Sequence, residues 1–257
     1  MATGYFFVQQ IIMQISLFCL FACIYQKYFV ILQRKIKVTQ YMDVSFLIKQ
    51  YFNGTSDVSI DVFDSVSLNR VYQDVINVLT AHLNIEVSVL QALSYCFYEI
   101  LDNVHIHSGK PLGTAITHFD PQTDTLRILV ADDGKGIQAS LQENPTYKNI
   151  SEQDALQKCL MDSVTDGKGM GFGLYATSRM MQDIGKNFIL HSGHTKLLIQ
   201  NGQTEIITNG LWQGTIIFME LGTAQEIDPE NVVEHRTKAS DEYNEMFIDS
   251  DELTELW

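Results

Sequence analysis

Residues 99–108 read EILDNVHIHS. Glu99, Asn103 and His107 recur at steps of four, so in a helix they lie along one face about a turn apart. A solvated helix face and a chemical site both account for such a trio, and the neighbouring segments have to separate them. Upstream, Val89, Leu90, Leu93, Phe97, Ile100, Leu101 and Val104 recur at helical spacing. They predict one amphipathic helix from about Glu86 to His107. SLNRVYQDVINVLTAHL (67–83) predicts another, with Leu68, Val71, Val75, Val78 and Leu79 on its apolar stripe.

Downstream the period changes. TAITHF (114–119) and TLRILVA (125–131) read as strands joined by the turn-forming DPQTD. A helix is predicted from about Phe172 to Ile184, ending near Gly185. FILHS, TKLLIQ, TEIITN and GTIIFMEL, between 188 and 221, read as short antiparallel strands with a turn at NGQ (201–203). Helices followed by gathered strands predict a two-layer α/β sandwich, a mixed or antiparallel sheet covered on one face by helices. VSIDVF (58–63) is a further strand in an otherwise poorly periodic leading region, 38–66.

Two glycine clusters punctuate this pattern. TLRILVA runs directly into DDGKGI (132–137), where Gly134 and Gly136 mark a tight turn or a close approach. Asp132, leaving the sheet beside them, is an acceptor for a donor on a planar ligand, and the exocyclic amine of adenine suits it. In DGKGMGFGLY (166–175), Gly167, Gly169, Gly171 and Gly173 alternate and a helix begins at once. Backbone N–H groups in such a loop and in the first helical turn suit an anion such as phosphate, with Lys168 as an added point charge. The run is neither a Walker A loop nor a dinucleotide fingerprint. Residues 138–166 between the clusters, with one short helix around 152–162, read as a lid over a ligand or as a plain connection.

Composition narrows the function classes. The chain has 257 residues, 46% apolar and 19% charged, enough for a sizeable core. A formal charge of -14 argues against non-specific binding to a nucleic-acid backbone. Cys19, Cys23, Cys96 and Cys159 show no metal-like clustering, which fits buried thiols in a reducing compartment. Residues 1–26 carry no charged side chain, and 6–25 (FFVQQIIMQISLFCLFACIY) are long enough to span a bilayer. With Lys27, Arg34, Lys35 and Lys37 following, 1–37 reads as a single membrane anchor that leaves the rest at the inner, cytoplasmic face. A buried or oligomerising apolar helix is the alternative. Beyond Ala224, eleven acidic residues face Arg236 and Lys238, an acidic tail over 223–257.

The order EILDNVHIH, DDGKGI, GKGMGFGLY and WQGT resembles the ATP-binding domain shared by sensor histidine kinases, heat-shock-90 chaperones, type II topoisomerases, MutL proteins and anti-sigma serine kinases, the Bergerat or GHKL fold. The likeness covers about 67–222, and the spacing Glu-x-x-x-Asn-x-x-x-His is most similar to the anti-sigma kinase branch. It implies ATP and Mg²⁺ as cofactors. It also implies Glu99 as general base, Asn103 as the Mg²⁺ ligand, and His107 at a phosphate or as a helix cap. Asp132 and Thr215 would read adenine, Gly134 and Gly136 would line the base, and Lys168, Gly169, Gly171, Gly173 and Leu174 would hold the phosphates. Hydrolysis and phosphoryl transfer to a partner protein remain alternatives. So do a nucleotide-gated binding module with little turnover, a sensor-kinase-like catalytic domain, and a homodimeric arrangement. The likeness gives no role to His105 and leaves Asp102 a surface acid or an auxiliary contact.

Overall fold

The computed structural model describes residues 43–55, 57–82 and 85–227. Contacts divide the chain into two units, Met1–Asp43 and Val44–Trp257. The elements of the second unit are, in chain order, α1 (Val44–Tyr51), β1 (Ser59–Phe63), α2 (Leu68–His82), α3 (Val87–His107), β2 (Gly113–Asp120), β3 (Thr125–Ala131), α4 (Gly136–Leu141), a 3-10 turn (Pro145–Tyr147), α5 (Glu152–Lys158), α6 (Gly173–Asp183), β4 (Gly185–Gln200) and β5 (Gln203–Gly222). The apolar run 6–25 and the acidic tail beyond Ile227 lie outside the described residues. Among the described residues no helix is long and apolar enough to cross a membrane.

Helix α3 has no side-chain cap at its N-terminus, so its stability comes from the face it buries. Nine of its side chains are buried, among them Leu93, Phe97, Ile100 and Leu101. Each large one stabilises the fold by roughly 1.5–3 kcal/mol. They pack with α2 and α6 against one face of a five-stranded antiparallel sheet of order β1-β2-β3-β5-β4. The chain is therefore an α/β fold, with the sheet wholly antiparallel.

Strand β5 is the keystone of that order. It pairs with β3 in the register Ile128↔Met219 and Val130↔Ile217, and with β4 in the register Phe188↔Met219. The four short strands expected between 188 and 221 are two long ones, joined at Asn201–Gly202, both with positive φ (52° and 72°). That backbone suits a two-residue hairpin turn. Register shifts near Ser192, Gly193 and Thr195 divide the ribbon, and they explain why the sequence reads as shorter pieces.

Helix α1 differs from the expected sandwich. Successive residues of a strand face opposite ways. Ile217 and Met219 join the α3 side, whereas Phe218 meets Tyr51 at 5.3 Å and Phe52 at 5.8 Å between ring centroids. Helix α1 and the turn after it therefore cover part of the other face. Nothing in the weak periodicity of 38–66 announces this.

The stripe of α2 also shifts. Val78 is 56% exposed, and Ile76 is buried in its place. At 100° per residue these two sit on opposite flanks of the stripe, with Val78 the nearer to its centre, so periodicity favours the residue that the packing leaves exposed. Ile76→Ala should lower stability by roughly 2–5 kcal/mol, whereas Val78→Ala should stay within about 0.5 kcal/mol. Urea unfolding followed by circular dichroism measures both, and equal losses would refute the observed register.

Candidate functional site

The last turns of α3, the exit of β3, strand β5 and the segment from α4 to α6 enclose a cavity of about 360 Å³, within the range of ligand pockets. Its walls are largely apolar, with Val104, Val130, Ile137, Leu141 and Ile217 among them. Into this setting α3 brings Glu99, Asp102, Asn103 and His107, and β3 delivers Asp132 one residue past its end. Thr215 comes from β5, Gly136 opens α4, and Gly169, Gly171, Gly173 and Leu174 line the side where α6 begins. Gly134 and Lys168 do not line the cavity. His105 is exposed, while Asp102 lines the cavity rather than facing away from it.

The Asp132 carboxyl is 4% exposed. Burial pushes its pKa up from 3.8 to about 6, against the downward pull of the Gly134 N–H, which donates to Oδ1 at 2.8 Å. Its backbone is tied to β5 on both sides: Asp132 N–H donates to the Thr215 carbonyl at 2.9 Å, and Trp212 Nε1–H donates to the Asp132 carbonyl at 3.0 Å. Gln213 Nε2 donates to the Gly134 carbonyl at 2.7 Å. Gly134 has a structural reason to be glycine, because a Cβ there would stand 2.3 Å from the Ser108 carbonyl oxygen. Ser192 Oγ accepts from Ile137 N–H at 2.9 Å and donates to the Gly214 carbonyl at 2.8 Å, fixing the start of α4 to β5.

At the other end of the cavity, α6 starts without a side-chain cap. Glu99 approaches it closely: a Cβ at Gly173 would stand 2.6 Å from Glu99 Oε2. A carboxylate beside a helix N-terminus is electrostatically favourable. Lys168, expected as a point charge, is drawn away to Glu143, with Nζ 2.7 Å from Oε2, and Lys135 pairs with the same carboxylate.

Residues 138–166 are not a structureless strap. Ala155 and Leu156 of α5 are buried in the core shared with Leu197 and Ile199 of β4. The Glu152 carboxylate accepts from His194 N–H at 3.0 Å and Thr195 Oγ1 at 3.1 Å. Any lid motion that spares this packing is confined to the stretch between α5 and α6, where Ser163, Gly167 and Gly171 have positive φ.

Sequence reasoning missed several parts of the site. Asp166, whose carboxylate meets His107, Ser140 and the Lys168 N–H, stands immediately before the glycine run; its position was visible, its contacts were not. Ser140, Ser192 and Trp212 act through hydrogen bonds across long sequence separations, for which spacing gives no signal. No protein-family model matches the chain, and no curated protein matches it in sequence.

The buried Asp132 sets a pH dependence. Its folded pKa lies above the unfolded one, so the folded state holds this proton more tightly. Stability from this group falls as pH rises from about 3.8 to about 6, and the full penalty stands above that range. The shift corresponds to a penalty on the order of 3 kcal/mol at pH 7. Asp132→Asn, which can still accept from Gly134 N–H, should therefore raise the unfolding free energy at pH 7 by up to about that amount. The gain should shrink toward pH 4. Chemical denaturation at both pH values checks this, and an equal effect at the two would contradict it.

Proposed function

We propose that the chain is an ATP-binding protein of the GHKL type, Mg²⁺-dependent, which hydrolyses ATP or transfers its γ-phosphoryl group to a partner protein, in the manner of anti-sigma-like kinases or regulatory ATPases. The observation that carries the reading is a convergence. Glu99, Asn103 and His107, the exit aspartate Asp132, Thr215 and the glycine-rich start of α6 come from four separate stretches and line one cavity.

The residues fit such a ligand. Apolar walls with a few polar groups suit a flat heteroaromatic ring, and the Asp132 carboxylate would accept from its exocyclic amine, with Thr215 beside it. The backbone N–H groups of 169–174 would bind phosphate oxygens. Glu99, Asp102, Asp132 and Asp166 all line the cavity, so a polyanion needs a cation with it, and the Asn103 side-chain oxygen would hold Mg²⁺. When bound, the metal ion would supply charge neutralisation of the phosphates. Glu99 would take the proton of an attacking water or hydroxyl. Attachment through residues 6–25 would hold this domain at the inner face of a membrane, within reach of its partner.

A second reading, a nucleotide-gated binding module with little turnover, is favoured by one contact. The Glu99 carboxylate lies against the start of α6, where a negative charge favours the helix N-terminus. Calorimetry on the full chain should give Mg²⁺-dependent ATP binding that Asn103→Ala weakens. Absence of binding in the wild type would refute the proposal. Glu99→Gln should keep binding within a few-fold and lower turnover by about 10²–10⁴. Equal, negligible turnover in both proteins would favour the binding module.

A further inference from the structure

Asp166 lies in no helix or strand, yet its side chain is 1% exposed. It receives hydrogen bonds from three segments. His107 Nδ1, at the end of α3, is 2.8 Å from Oδ2, and Ser140 Oγ of α4 donates to the same oxygen at 2.8 Å. The Lys168 N–H, within the glycine run, donates to Oδ1 at 3.0 Å. Burial would push this carboxyl up. The bonds from His107, the Lys168 N–H and Ser140 outweigh burial and hold it below its ordinary 3.8.

An ionised carboxylate only accepts, so the bond at 2.8 Å requires the proton on His107 Nδ1. The second ring nitrogen then points away from Asp166, and it does so toward the glycine run: a Cβ at Gly169 would lie 3.6 Å from Nε2. Among the described residues that line the cavity, His107 is the one side chain able to carry positive charge at Nε2–H, since no lysine or arginine lines it. The nearest lysine in sequence, Lys168, is held by Glu143.

We propose that Asp166 is a positioning residue: by bonding both the Lys168 backbone and His107, it couples closure of the glycine run to the aim of His107 Nε2, which then selects for a ligand's terminal phosphate. This rests on the nucleotide reading above and adds to it a means of distinguishing a triphosphate from a diphosphate. His107 makes the contact as an imidazolium, its Nδ1–H donating to Asp166 and its Nε2–H to the phosphate, and Asp166 fixes its place.

Two measurements on the full-length protein test it. The first needs no ligand: ¹⁵N NMR of the imidazoles should show His107 protonated at Nδ1, and Asp166→Asn should return it to the ordinary Nε2–H tautomer. The second compares Mg²⁺-ATP with Mg²⁺-ADP by calorimetry. His107→Ala and Asp166→Asn should each weaken ATP binding about tenfold or more, the scale of one charge-assisted hydrogen bond. ADP affinity should change by less than about threefold, corresponding to under half that free energy. Ile76→Val, a mild core destabilisation at a residue that does not line the cavity, should leave the ATP-to-ADP ratio near that of the wild type and guards against a folding artefact. Equal losses for ATP and ADP would make Asp166 merely structural and overturn the proposal, as would an unchanged tautomer in Asp166→Asn. If the wild type binds neither nucleotide, the nucleotide reading falls and this proposal with it. If ATP binds but the ratio is unmoved in both variants, this proposal alone falls.

Discussion

The end of α3 and the exit of β3 meet backbone to backbone. Lys135 N–H donates to the Ser108 carbonyl at 2.9 Å, an approach that any side chain at 134 would block. Because α3 is packed along its whole inner face, this joint fixes how its last turn stands relative to the sheet. His107 lies on that turn, Asn103 stands one turn before it, and Asp132 lies two residues before the glycine. The distance between the two groups of polar residues is thus set by main-chain contact, which bends far less than a pair of side chains would. On the far side, Trp212, Gln213 and Ser192 bind the same loop to β5 and α4. At this end the cavity lies between elements joined by hydrogen bonds on both sides of the loop.

The lining of the cavity is rich in acid. Four carboxylates and one imidazole face a largely apolar interior. The acids are kept apart by different means: Asp132 is destabilised as an anion by burial, Asp166 is satisfied by three donors, and Glu99 lies against the start of a helix. A carboxylate that the fold tolerates at a cost in stability, as at Asp132, is characteristic of places where a protein does chemistry or binds a ligand.

Much of this was legible in the sequence. The long apolar period of α3, the strand TLRILVA and the glycine run opening α6 each carry their own local signal, and each appears where the pattern puts it. The glycines illustrate the limit. Gly134 and Gly136 read as a tight turn or a close approach, and the close neighbours that the structure gives them are the Ser108 carbonyl and the Ser192 hydroxyl. The sequence says that a Cβ is excluded without saying by what. Helix α1 was hidden because eight residues carry too little periodicity, and α4 because it begins inside a glycine motif. Asp166 was hidden for a deeper reason: its partners His107 and Ser140 stand 59 and 26 positions away, and no spacing rule reaches that far.

The position of β5 between β3 and β4 has a consequence for the order in which the molecule assembles. The β4–β5 hairpin turns on two residues, and local ribbons of this kind close in about 1–10 μs. The β3–β5 seam instead joins residues about ninety positions apart, such as Ile128 and Met219, and loop closure over that span carries a larger entropic cost. Asp132 and Thr215 face each other across this seam. The cavity is therefore completed only when the paired strands most distant in sequence have found their register, and a nascent chain carries its binding residues long before it has a binding site.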